Sequence, residues 1–157
     1  MSSPDAKLRV FVVEDHAGTS RALKMFLEAS DFAVEVALDC RSALELARTT
    51  KFDVMLCDLN LPDGTGWDLL REIRRIVPGV RALAFSAFDD ADHVRKSREA
   101  GFLKHVVKGG AANELVADIR KAHESGAPES EAPAEGPARK SSSPAGVKKP
   151  ASGKRRA

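Results

Sequence analysis

Between residues 8 and 124 the chain switches repeatedly between short apolar runs and longer segments with apolar positions three or four apart. Leu8–Val13 reads as a strand, and Thr19–Ala29 as a helix carrying Leu23, Phe26 and Leu27 on one side. Ala33–Ala37 is a second strand, followed by a short helix over Ser42–Thr49. Val54–Asp58 is the most continuously apolar run, which marks a strand covered on both faces and so the central one. Gly66–Val77 places Leu69, Leu70, Ile73 and Val77 on one helical face and is ended by Pro78-Gly79. Arg81–Ser86 is a strand, Asp90–Ala100 a helix closed by Gly101, Lys104–Val107 the last strand and Asn113–Glu124 the last helix, with Leu115, Val116 and Ile119 facing inward. Five strand–helix units in succession predict an α/β domain with a parallel sheet, right-handed crossovers and helices on both faces. The expected strand order is 2-1-3-4-5, a doubly wound, flavodoxin-like arrangement. The fourth helix is the odd one. It offers Val94 and a few alanines against His93, Arg95, Lys96, Ser97, Arg98 and Glu99, so it is expected to be weakly held, either as a plain surface helix or as an element that shifts between two positions.

Four of the apolar runs end in a polar group. Glu14 and Asp15 follow the first strand, Asp58 ends the third, Ser86 the fourth, and Lys108 follows the fifth. In a parallel sheet these ends share one edge. Ligands of doubly wound sheets bind there, where the strand order reverses, here between the first and third strands. Three carboxylates in one crevice repel unless a cation sits among them, and an all-oxygen set of this kind suits Mg²⁺. The chemistry expected is divalent-metal binding and the handling of a phosphoryl group. His16, His93 and His123 have no second His or Cys at ligand spacing and are expected at the surface. Trp67 is expected to pack into the core at the start of the third helix.

Composition changes the picture at one place. Of the eight prolines in the 157 residues, five lie in 127–157, with Val147 the one large aliphatic and no aromatic residue. Such a segment buries too little apolar surface to offset the entropy of ordering it, and we expect it to be disordered. The expected division is a domain over 1–126 and a tail over 127–157. The tail holds seven basic residues and three acids, so it carries +4 and leaves residues 1–126 at −2 within a total of +2. Its end, Lys148 to Arg156, has the charge to hold a nucleic-acid backbone, and salt-dependent DNA binding lost on deleting 127–157 would show it. No zinc spacing or helix-turn-helix pattern accompanies it. No apolar run approaches the roughly 20 residues of a membrane span, no secretion signal is expected, and Cys57 lies in an apolar run as a reduced, inert thiol. A cytoplasmic location is expected.

The stretch Asp58-Leu59-Asn60-Leu61-Pro62-Asp63-Gly64-Thr65-Gly66, together with Glu14-Asp15, Ser86 and Lys108, resembles the receiver domain of bacterial two-component response regulators over Lys7 to about Glu124. The resemblance implies a single-domain, chemotaxis-regulator-like protein that is not an enzyme in the ordinary sense but takes part in its own phosphorylation. By it, Asp58 is the phosphoacceptor, served by a histidine kinase or histidine phosphotransfer protein. Glu14, Asp15, Asp58 and the backbone carbonyl of Asn60 hold Mg²⁺. Lys108 pairs with Asp58 and then with the phosphoryl oxygens, and Ser86 and His105 form the switch. Output passes to a partner protein through the face of the fourth helix, fifth strand and fifth helix. Asn60 and Phe88 tune phosphate loss, with Phe88 expected to screen the attacking water. Three positions depart from the family pattern: Gly109 stands where proline is usual, which is expected to leave Lys108 less rigidly aimed, Glu14 opens the acid pair where Asp is usual, and His105 stands where Tyr or Phe is usual. The rival readings are an unphosphorylated pseudo-receiver scaffold, separable by Mg²⁺-dependent labelling with a small phosphodonor, and a nucleic-acid-associated regulator acting through the tail.

Overall fold

The computed structural model describes residues 7–125. The boundary after residue 126, and with it the tail and its expected disorder, lies outside them. The main strands are β1 (Leu8–Val13), β2 (Phe32–Ala37), β3 (Val54–Asp58), β6 (Ala82–Ser86) and β7 (Lys104–Val107), and the helices are α1 (Ala17–Ala29), α2 (Cys40–Thr49), α3 (Gly66–Ile76), α4 (Ala91–Ala100) and α5 (Ala112–Glu124). The five strands form one sheet in the order β2-β1-β3-β6-β7, all neighbours parallel. This is the expected 2-1-3-4-5 order.

Period-two alternation sorts the strand side chains into two cores. Phe11, Val13, Met55, Cys57, Ala82 and Ala84 face α2, α3 and the end of α4, where they meet Ala43, Leu69, Leu70, Ile73 and Ala100. Val10, Val12, Val54, Leu56, Leu83 and Phe85 face α1 and α5, against Leu23, Leu27, Leu115 and Ile119. All five residues of β3 are buried, as a central strand requires. Each fully buried Leu or Ile side chain contributes about 1.5–3 kcal/mol relative to exposure.

Helices α1 and α2 start two residues earlier than the apolar spacing predicts. The reason is capping, which leaves no apolar trace. His16 accepts the Thr19 amide through its side chain at the start of α1, and Asp39 accepts the Ser42 amide at 2.8 Å at the start of α2. A second acid reaches α2 from elsewhere in the chain. Asp63 accepts the amides of Cys40 at 2.8 Å and Arg41 at 3.1 Å across more than twenty residues, and these bonds hold its carboxyl below the usual range. Partial burial and the Asp63 carboxylate push the Cys40 thiol up to about 12.

The run after Asp58 contains a small antiparallel pair. Strands β4 (Asn60–Leu61) and β5 (Gly64–Thr65) fold back on one another, with Asn60 opposite Thr65. Thr65 then caps α3 through the Asp68 amide. Helix α4 is held as thinly as its sequence implies. Its buried residues are Ser97 and Ala100, and its outer face carries exposed pairs such as Arg95–Asp92 and Lys96–Asp92, each worth about 0.2–0.5 kcal/mol. Gly101 ends it in the left-handed region, at φ 110°. Trp67 is half-buried against the α2–α3 core, and its indole nitrogen is not merely packed but lies 3.1 Å from Ser97 Oγ.

Gly66 brings α3 against the end of β3. A Cβ there would lie 2.4 Å from the Asp58 carbonyl oxygen and 3.0 Å from Leu59 Cα, both backbone atoms with no freedom to swing away. Gly66→Ala should therefore destabilise the domain by about 1–3 kcal/mol, the usual cost of forcing a methyl into packed structure. Urea unfolding of the two proteins checks this, and equal midpoints would show that α3 moves off at no cost.

Candidate functional site

The parallel register sets the strand ends level. Val13 pairs with Cys57, Asp58 with Phe85, and Ser86 with Val107. The backbone continues the ladder one residue further at both sides, through Glu14 N to Ala37 O at 3.0 Å and Lys108 N to Ser86 O at 2.7 Å. Glu14, Asp58, Ser86 and Lys108 therefore leave the sheet from the same edge, at the point where β1 and β3 diverge to their different neighbours. They line a pocket of about 470 Å³ together with Asp15 and Asn60.

Three of these groups are unusually deep for polar side chains: Glu14 is 1% exposed, Ser86 3% and Asp58 5%. Lys108 Nζ lies 2.8 Å from Glu14 Oε1 and 3.1 Å from Asp58 Oδ2, so one ammonium answers two buried carboxylates. The remaining oxygens take backbone donors, with Asn60 N on Asp58 Oδ1 and His16 N on Glu14 Oε2, both at 3.1 Å. The Glu14 Oε1 contact is ionic and not an aligned hydrogen bond, which leaves that buried oxygen with acceptor capacity to spare. Asp15 is exposed at the rim, and one carboxylate oxygen from each of Glu14, Asp15 and Asp58 lies within 4.8 Å of the others. That geometry fits a hard divalent cation, which takes carboxylates and water and would use the spare capacity on Glu14.

Burial works against the Lys108 ammonium, and the Glu14 and Asp58 carboxylates outweigh it, so its pKa is raised. Gly109 takes φ 87°, open to glycine and with free space around it, while the ladder bond from Lys108 N fixes where the side chain leaves the strand.

The other expected residues are placed as follows. Asn60 is exposed beside Asp58. Ser86 Oγ accepts the Phe88 amide at 3.1 Å. Phe88 lines the pocket but is 53% exposed, and its ring stacks on His93 of α4 with centroids 5.1 Å apart. His105 is half-buried and sits between Ser97 Oγ and the Phe88 carbonyl. Three residues of this region escaped the sequence reading. His16 caps α1, a position for which His carries no strong preference. His93 backs Phe88. Ser97 was counted with the polar face of α4, although its spacing from Val94 and Ala100 places it on the narrow inward stripe.

The model of the response regulator receiver domain family matches residues 10–120. The chain belongs to that family. This receiver domain is 32% identical over 113 residues to the probable transcriptional regulatory protein SilR of Salmonella typhimurium, and equally to the transcriptional regulatory protein CusR of Escherichia coli, covering 72% of this chain and 50% of each relative. The chain thus spans about half the length of these curated relatives. Among solved structures it is similar to the non-phosphorylated HemR receiver domain of Leptospira biflexa, with TM-score 0.68, 30% identity, and coverage of 74% of this chain and 94% of that one. It shares its fold with a CheY-like receiver domain of Methanospirillum hungatei, with TM-score 0.72, 22% identity, and coverage of 76% and 96%. Among the described residues of the receiver no helix is long and apolar enough to cross a membrane.

The raised pKa of Lys108 makes part of the domain's stability pH-dependent. A lysine whose folded pKa exceeds its unfolded value contributes fully below about 10.4, and the contribution is lost as pH rises through the folded value. In metal-free buffer the parent should lose urea resistance above about pH 10 more steeply than Lys108→Met, whose midpoint lacks that titration. Parallel pH profiles for the two proteins would show that the ammonium does not hold the carboxylates together.

Proposed function

We propose that Asp58 accepts a phosphoryl group from a phosphohistidine of a histidine kinase or histidine phosphotransfer protein. The observation that carries this reading is a single carboxylate, 5% exposed, at the end of the central strand, met by Lys108 at 3.1 Å and by two further acids within 4.8 Å. A carboxylate oxygen of Asp58 attacks phosphorus, the bond from phosphorus to the imidazole nitrogen breaks, and the histidine leaves with the electron pair. The product is an aspartyl phosphate. Lys108 keeps a cation at the oxygens that gain charge, and its second partner, Glu14, keeps it aimed there. Ser86 turns its hydroxyl from the Phe88 amide to donate to the phosphoryl group.

Glu14, Asp15, Asp58 and the backbone carbonyl of Asn60 would hold Mg²⁺, consistent with the spare acceptor capacity on Glu14. Bound there, the ion supplies positive charge against the acids and the incoming phosphoryl oxygens. The added phosphoryl charge biases the elements around it. We place the output at the face of α4, β7 and α5, where the thinly held α4 is the element with least to resist a shift. On this reading the receiver acts through protein–protein contact.

Intact mass after incubation with acetyl phosphate and Mg²⁺ tests the reading. The parent should gain one phosphoryl group and Asp58→Asn none, because the amide is a poor nucleophile of nearly the same shape. The variant should stay folded, and without metal be as stable as the parent or more so, since it removes repulsion among buried acids. Labelling of Asp58→Asn at the parent's rate would reassign the acceptor.

Phe88 and His93 together form one wall of the pocket, and we propose that this wall screens the phosphoryl group from the water that must approach in line. Timed loss of phosphate should be faster in Phe88→Ala than in the parent. Loss that is unchanged or slower would place the water's path elsewhere, past Asn60.

A further inference from the structure

A hydrogen-bonded row runs from the switch hydroxyl to the third helix. Ser86 Oγ accepts from Phe88 N at 3.1 Å, the Phe88 carbonyl lies 2.5 Å from His105 Nε2, His105 Nδ1 lies 2.9 Å from Ser97 Oγ, and Ser97 Oγ lies 3.1 Å from Trp67 Nε1. The proton positions follow from what each group is able to do. An indole N–H only donates and a peptide carbonyl only accepts. In the tautomer with one ring proton, on Nε2, Ser97 Oγ accepts from Trp67 and donates its hydroxyl hydrogen to His105 Nδ1. The ring proton of His105 sits on Nε2 and is donated to the Phe88 carbonyl. A phenyl ring at position 105 would end the row, whereas imidazole passes it on because it carries a donor and an acceptor on opposite edges.

The row matters because of what surrounds it. Ser97 is 1% exposed and is one of only two buried residues on α4. Its hydroxyl is thus a large share of what fixes α4 inward. Breaking either of its bonds leaves a polar group at this inward contact without its partner, so neighbouring members of the row have reason to move together.

We propose that Ser97 is the positioning residue that couples α4 and α3 to the switch hydroxyl, through His105 and the Phe88 carbonyl. This rests on the phosphoacceptor reading for its trigger. When Ser86 turns to the phosphoryl group it gives up the Phe88 amide, and the freed loop shifts the Phe88 carbonyl. His105 follows its acceptor, Ser97 follows His105, and α4 moves with Ser97 while Trp67 registers the change. Mere adjacency does not establish such coupling, so the test must cut the row at two points and read it at a third.

Trp67 is the single tryptophan of the chain, so its emission reads the far end of the row. The full chain is titrated with beryllium fluoride and Mg²⁺, with binding followed separately by fluorine NMR. Bound beryllium fluoride should change the Trp67 emission of the parent. In Ser97→Ala and in His105→Leu binding should persist and the emission change should be lost, and Ser97→Thr, which restores the hydroxyl, should regain it. Trp67 also lines the phosphoryl pocket. Since His105→Leu leaves the Trp67–Ser97 bond in place, an undiminished response in that variant means direct sensing and overturns the proposal, as does a parent that binds without any change in emission. Nitrogen-15 shifts of His105 read the row with no phosphoryl analogue present. The Nε2–H tautomer is expected in the parent, with loss of the hydrogen-bonded Nδ1 signal in Ser97→Ala, and an Nδ1–H tautomer overturns the row itself. A parent that takes up no beryllium fluoride overturns the phosphoacceptor reading and its trigger, while the ring-nitrogen spectrum still decides the row.

Discussion

Everything at the functional edge of this receiver depends on one ammonium group standing between two buried carboxylates. Glu14 and Asp58 come from neighbouring strands and are almost entirely out of water. Two such carboxylates side by side repel, with little water to screen them. Lys108, arriving from a third strand, answers both at 2.8 and 3.1 Å. A buried group of this kind adds little net stability, because desolvation consumes most of the attraction, but losing the ammonium that answers both acids is costly. What it provides is an Asp58 carboxylate aimed into the pocket with a cation beside it. Burial and the adjacent Asp58 charge push the neighbouring Cys57 thiol well above the ordinary thiol range.

The triad is possible only because the sheet is parallel and in register. Side-chain alternation divides β1, β3 and β6 between two cores, and a one-residue slip of any strand would exchange its faces. Glu14, Asp58, Ser86 and Lys108 are therefore placed by the packing of the strands that carry them. Gly66 adds the second constraint. The start of α3 approaches the Asp58 carbonyl so closely that no side chain fits between them. The loop after Asp58 is pinned again at its far end, where Asp63 caps α2.

Rigidity on that side contrasts with the opposite wall. Helix α4 buries little, its surface ion pairs are exposed and individually weak, and its inward contact is largely the hydroxyl of Ser97. An element so held has a low cost of displacement. The groups that touch it, His105 from β7 and Phe88 from the loop after β6, are bonded back to Ser86 and so to the phosphoryl pocket. A fixed Asp58 and a lightly tethered helix thus share one boundary, the short loop over residues 87–90.

The elements, their parallel order and the polar residues at the strand ends were legible in the sequence, because each depends on local periodicity. An apolar run ending in a charge reads the same in isolation as in the sheet. Val54–Asp58, Leu8–Val13 and Lys104–Val107 were placed to the residue for that reason. Helix starts were less legible, since His16 and Asp63 cap by side-chain bonds that leave no apolar pattern, and the β4–β5 pair is too short to show one. Tertiary structure alone decided which polar groups meet: that Lys108 divides itself between Glu14 and Asp58, that Asp63 reaches α2, that Phe88 lies on His93, and that Trp67, Ser97 and His105 form a row. A hydrogen bond between elements depends on distances of a few tenths of an ångström set by the packing of both, and a sequence records the donors and acceptors but not the space between them.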